Sequence, residues 1–130
     1  MHRSRIGVVL IDHPTETYED AASFWAGARG GDRGQAGEPV DDEPYEALES
    51  LPGGVKLDLQ RTGSGTPPRI HLDIETDDVG AEVARLLALG ARVIEDRDGY
   101  TILADPGGLL FCVVPIQTGS DFDAHAAAWS

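Results

Sequence analysis

One order of elements occurs twice in this chain, and that recurrence limits the fold more than any figure of composition. Arg69 to Glu75 (RIHLDIE) alternates, with Ile70, Leu72 and Ile74 on one face and His71, Asp73 and Glu75 on the other, as a half-buried strand does. Asp77 or Asp78 can cap the helix that follows. Its apolar stripe is Val79, Val83, Leu86 and Leu87, and Gly90 stops it. Three more strands are expected at Ala91–Glu95, Tyr100–Ala104 and Leu109–Val114, the last two joined by the turn Asp105-Pro106-Gly107-Gly108.

The first half runs in the same order. Ile6 to Ile11 (IGVVLI) is a near-continuous apolar run rich in β-branched residues, the mark of a buried strand, and Asp12, His13 and Pro14 are expected to break it. Thr15 to Arg29 then sets Tyr18, Ala21, Ala22, Trp25 and Ala28 at helical spacing, with Glu16, Glu19 and Asp20 loading the first turns. Gly30, Gly31, Gly34 and Gly37 end that helix in a polar loop reaching about Pro44, either mobile or a lid. Tyr45–Leu51 and Val55–Arg61 read as strands around the turn Pro52-Gly53-Gly54, and Thr62–Pro68 (TGSGTPP) as a linker.

The two Gly-terminated helices lie roughly 60 residues apart, an internal duplication. The fold class expected is α+β: two tandem βαβββ modules whose cupped mixed sheets leave a shared cavity. Residues 1–130 form one domain on this reading. Module one covers about 5–61, the linker 62–68 and module two about 69–115. A tail at 116–130 holds a short helix anchored by Phe122, His125 and Trp129.

Composition enters mainly by exclusion. The net charge of −13, with nine arginines and one lysine scattered along the chain, argues against nucleic acid as a partner. No apolar run approaches the ~20 residues of a membrane span, so no membrane partner is expected. The N-terminal MHRSRIGVVLIDHP reads as a first strand and not as a signal peptide. A lone cysteine, Cys112, forms no internal disulfide and fits a cytoplasmic setting.

Four passages carry a resemblance to a known family. They are Phe24-Trp25 near the end of the first helix, Arg69-Ile70-His71-Leu72-Asp73, the stretch EVARLLALG from Glu82 to Gly90, and Asp105-Pro106-Gly107-Gly108 through Phe111-Cys112-Val113-Val114. In their order and spacing, from about residue 5 to 115, the chain resembles the vicinal oxygen chelate superfamily, which includes glyoxalase I, extradiol dioxygenases and the bleomycin-resistance proteins. It is most similar to the small glyoxalase-like domains of actinobacteria. The resemblance implies a homodimer, and in metal-dependent members a divalent ion held by the first and last strands of each module, usually through His or Glu.

The residues here depart from that ligand set. Ile6–Ile11 contains no side-chain ligand, the last strand of module one offers Gln60, and His71 matches. Cys112 stands where metal-binding relatives carry Glu. One matching ligand does not hold a catalytic ion, and a Cys/His/Gln set is foreign to oxygen-preferring ions. No cofactor is therefore expected, and a divalent metal is disfavoured because only His71 matches a ligand position.

His71 reads either as a pocket donor or general base, or as a buried histidine bonded to Asp73 or to backbone. Cys112, between Phe111 and Val113, reads as a small cavity-wall or core residue whose apolar setting raises its thiol pKa. Gln60, Tyr100, Asp73 and, at the rim, Trp25 complete the candidate ligand-binding set with His71 and Cys112. His2, His13 and His125 read as solvated bystanders. Asp41, Asp42 and Glu43 would favour a cationic guest if their loop folds over the cavity.

The function expected is a metal-independent small-molecule binding protein, taking a drug or natural product as the resistance proteins do. The alternatives are a lyase or isomerase with His71 as general base, and a non-catalytic interaction module.

Overall fold

The computed structural model of the chain describes residues 1–30, 45–48 and 51–130. The elements are β1 (His2–Pro14), α1 (Tyr18–Ala28), β2 (Tyr45–Ala47), a single 3₁₀ turn at Pro52–Gly54, β3 (Lys56–Thr62), β4 (Arg69–Thr76) and α2 (Val79–Ala88). Then come β5 (Arg92–Arg97), β6 (Tyr100–Ala104), β7 (Leu110–Pro115), α3 (Ser120–His125) and β8 (Ala127–Trp129). Eight strands form one open mixed sheet in the order β2-β3-β1-β4-β7-β6-β5, with β8 added beside the start of β1.

Two antiparallel strands, β1 and β4, make the centre of the sheet, and each has a parallel partner on its outer side, β3 and β7. The expected α+β fold of two similar halves is what forms. Among the described residues the first half contributes three strands and the second half four, besides the added β8.

α1 and α2 cover the same face of the sheet. α1 buries Tyr18, Ala22 and Ala26 against Ile11, Leu57 and Leu59, and the two alanines let its backbone approach closely. α2 starts at Asp78, whose Oδ1 accepts from the Ala81 amide at 3.0 Å, and seats Leu86 on Leu103, Phe111 and Val113. A fully buried leucine, isoleucine or phenylalanine in these clusters contributes roughly 1.5–3 kcal/mol. Because side chains alternate along a strand, the other face is left for the cavity.

Several sequence expectations need correcting. β1 does not stop at Ile11: Asp12, His13 and Pro14 pair with Gln60, Arg61 and Thr62 of β3. β4 pairs with β1 no further than Asp12, so at Pro14 the strand has a partner on the β3 side only. The tail holds a shorter helix than expected, and Ala127–Trp129 form a strand on His2–Ser4, with Trp129 Nε1 donating to Ser4 Oγ at 2.9 Å. Phe122 is fully buried there, whereas His125 is exposed. His2 is no bystander, since its Nε2 lies 2.9 Å from the buried Glu82 carboxylate, which Arg85 also grips at 2.7 and 2.8 Å. The expected 30–44 lid loop, with Asp41, Asp42 and Glu43, lies outside the described residues, apart from Gly30.

One clasp locks the seam between the halves. Glu75, on β4, is 0% exposed, and accepts from Arg5 Nε (2.8 Å), Thr118 Oγ1 (2.6 Å) and the amides of Gln117 (2.8 Å) and Thr118 (3.0 Å). Arg5 also donates to the Gly53 carbonyl at 2.8 Å. A slip in the β1–β4 register between Ile6 and Val8 places Gly7 against this carboxylate. A Cβ at Gly7 would stand 2.2 Å from Glu75 Oε2, so only glycine fits.

Candidate functional site

The face of the sheet away from the helices bounds a cavity of about 640 Å³. Its floor follows from the strand register. Asp12 of β1 lies between Gln60 of β3 and Arg69 of β4, and Leu10 between Asp58 and His71. Val8 lies between Lys56 and Asp73, and Asp73 is followed outward by Cys112 of β7 and Ile102 of β6. Tyr45, beside Gln60 on β2, and Tyr100 of β6 close the ends.

Five of the six candidate residues, His71, Gln60, Tyr100, Cys112 and Asp73, therefore line one cavity. Trp25 does not. It sits on α1, packed against the Ile11–Leu59 cluster and edge-to-face with Phe24 at 5.2 Å, on the other side of the sheet. A residue on a covering helix and one on the cavity side of the strands point into different spaces, and helical spacing alone does not reveal which.

The sequence reading missed Asp12 and Arg69. Asp12 continues the alternation Val8, Leu10, Asp12 beyond the apolar run, and that signal was available once the strand is extended. It is only 2% exposed, and its Oδ2 accepts from Arg69 Nε at 3.1 Å. Asp12 Oδ1 and, on β3, Asp58 Oδ1 are buried without a hydrogen-bond partner among the described residues.

His71 Nε2 lies 3.1 Å from Cys112 Sγ and 3.5 Å from Asp73 Oδ1. Burial lowers the His71 pKa, with Asp12 opposing and Arg69 reinforcing, so the imidazole is neutral near pH 7. Burial pushes Asp73 up to about 6, and the charges of Asp58 and Asp12 add to it. Burial also raises Asp58, partly offset by Lys56. The Cys112 thiol is pushed up to about 11, first by burial and then by Asp73, as its apolar flanks imply.

These distances bear on metal binding. The ligand atoms of His71, Asp73 and Cys112 lie within 4.8 Å of one another, so three donors meet where the sequence count had only His71, and a metal is not excluded. The four-position arrangement of metal-binding relatives does not fit, however. Leu10 faces His71 across β1 and β4, Gln60 is a neutral amide, and Cys112 offers a sulfur in place of a carboxylate oxygen.

A family model described as "Glyoxalase-like domain" matches residues 8–114. Among solved structures, the Mn(II)-bound glyoxalase from Novosphingobium aromaticivorans is 21% identical. The match covers 88% of this chain with a TM-score of 0.59, and this chain spans only 40% of that one. A variant of Streptomyces coelicolor methylmalonyl-CoA epimerase in complex with 2-nitronate-propionyl-CoA is 18% identical, covers 85% of this chain and 96% of its own, and has a TM-score of 0.52. A glyoxalase/bleomycin resistance protein/dioxygenase superfamily member from Vibrio splendidus 12B01 is 16% identical, over 83% of this chain and 97% of its own, with a TM-score of 0.50. A comparison with curated proteins yields no match. No helix among the described residues is long and apolar enough to cross a membrane.

Proposed function

The chain belongs to the glyoxalase-like domain family, and from that premise we propose that it is a small-molecule binding protein whose cavity works without a metal. One observation carries this reading: a cavity of about 640 Å³ has a floor of hydrogen-bonding side chains among which His71 faces Leu10. Cavities of this size suit a drug-sized or natural-product guest, with a few polar groups fixing its orientation. Purified protein examined by native mass spectrometry and elemental analysis tests this. A co-purifying small molecule at one per chain supports the reading, and a stoichiometric divalent ion overturns it.

A second reading is a lyase or isomerase with His71 as general base. It is favoured by the position of a neutral imidazole in the cavity wall, since a base must be unprotonated to act. His71→Ala separates the two. A binder loses modest affinity, whereas an enzyme loses about 10²–10⁴-fold in rate, the range a general base supplies.

A further inference from the structure

The small-molecule reading leaves the chemistry of the guest open, and the floor of the cavity narrows it. We infer that the ligand carries a protonated nitrogen group, an ammonium or amidinium, whose N–H donors bridge Asp12 Oδ1 on β1 and Asp58 Oδ1 on β3. This rests on the binding reading above and adds the ligand's chemistry to it.

Two carboxylate oxygens, on residues that both line one cavity, are buried and have no donor among the described residues. Buried polar atoms in folded proteins are nearly always satisfied, so such a pair is an opening for something else. Asp12 is 2% exposed, which sets it apart from a solvated acidic cluster. Its other oxygen is already held by Arg69, so the Oδ1 lone pairs have a fixed direction. Asp58 pairs across β1 with Leu10, two positions along from Asp12, so the carboxylates are diagonal neighbours on one face. Diagonal neighbours lie about 7–8 Å apart, a span that a forked or multiply protonated group closes with divergent N–H bonds.

The cations among the described residues do not fill this gap. Arg69 is spent on Asp12 Oδ2, and most of its side chain is exposed. Arg97 is half exposed and pairs with Glu95. Lys56 also lines the cavity and offsets part of the burial cost of Asp58 by its charge, without reaching Asp58 Oδ1. Arg69 and Arg97 are therefore committed to other oxygens, while Asp12 Oδ1 and Asp58 Oδ1 keep no partner among the described residues. A neutral guest could donate to these oxygens too, but a charged donor makes hydrogen bonds roughly twice as strong to a carboxylate.

The test titrates three isosteric probes, benzamidinium, benzamide and benzoate, into the full chain at pH 7.5, by calorimetry or ligand-observed NMR. Benzamidinium is expected to bind saturably and benzamide at least ~10-fold more weakly. Asp12→Asn and Asp58→Asn are each expected to weaken benzamidinium about 10-fold. Asp58→Asn leaves the Asp12–Arg69 pair intact, so the test survives if Asp12→Asn fails to fold. Equal binding of benzamide, binding of benzoate alone, or full affinity in Asp58→Asn overturns the cation assignment while leaving a binding pocket. Absence of benzamidinium binding overturns it as well, and the small-molecule reading is then judged separately by the co-purification experiment.

Discussion

Asp73 and Glu75 stand two residues apart on β4, yet their surroundings have opposite effects on them. Glu75, at the seam, is fully buried and meets four donors, which hold its carboxyl below the usual range despite burial. Asp73, on the cavity floor, has among the described residues only the His71 ring at 3.5 Å, and burial together with Asp58 and Asp12 pushes it up to about 6. One carboxylate is built into the fold. The other is kept at a cost, as is Asp58 on the same cavity wall. Sites that bind or react commonly carry such a cost, because groups satisfied internally have nothing left for a guest.

The largest effect should come from breaking the satisfied end. Glu75→Ala leaves the Arg5 guanidinium, itself nearly buried, without its main partner, and frees the amides of Gln117 and Thr118. A loss of about 3–5 kcal/mol is expected, measured by urea denaturation at pH 7. The wild type should also lose part of its stability as pH falls. A depressed carboxyl stabilises the fold above its unfolded pKa, and that contribution disappears as the pH drops through the folded value.

Asp73→Asn should act the other way. The folded pKa lies above the unfolded one, so ionised Asp73 destabilises the protein in full above pH 6, and the penalty vanishes as pH falls toward 4. The variant is therefore expected to be more stable than wild type at pH 8, by on the order of 2–3 kcal/mol at most, and equal to it near pH 4. Denaturation at the two pH values in a chelator-containing buffer reads this directly. A destabilised Asp73→Asn at pH 8 would place Asp73 with Glu75 as a structural group and end the contrast.

Much of this was legible in the sequence because alternation is a local signal. His71, Gln60, Asp73, Tyr100 and Cys112 meet because period-two spacing on four strands sends them to one face, and their identities were readable before the pairing was known. What escaped depended on partners distant in the chain. Asp12 looked like the end of an apolar run, and only pairing with Gln60 and Arg69 makes it a strand residue. His2 looked free until Glu82 of α2 met it, and Ala127–Trp129 looked helical until β1 offered an edge. Trp25 failed for a different reason: helical spacing showed that it packs, but not that its helix lies behind the sheet.

Cys112 gives the smallest and sharpest test, because it is the cross-strand partner of Asp73 and touches His71. If the cavity is a binding site, the thiol stays protonated there, with a pKa of about 11. At pH 8 only about 0.1% would be thiolate, against roughly a quarter for an ordinary cysteine, so alkylation by iodoacetamide should be at least ~100-fold slower than in the denatured chain. The rate should still be climbing at pH 10. Cys112→Ser should change stability by no more than about 1.5 kcal/mol, since the replacement keeps the volume and can still hydrogen-bond His71. A fast reaction levelling off below pH 8 would mean that His71 takes the thiol proton, turning the contact of 3.1 Å into an ion pair. The floor would then hold an activated nucleophile, and the contrast between β4's two carboxylates would separate structure from chemistry instead of structure from binding.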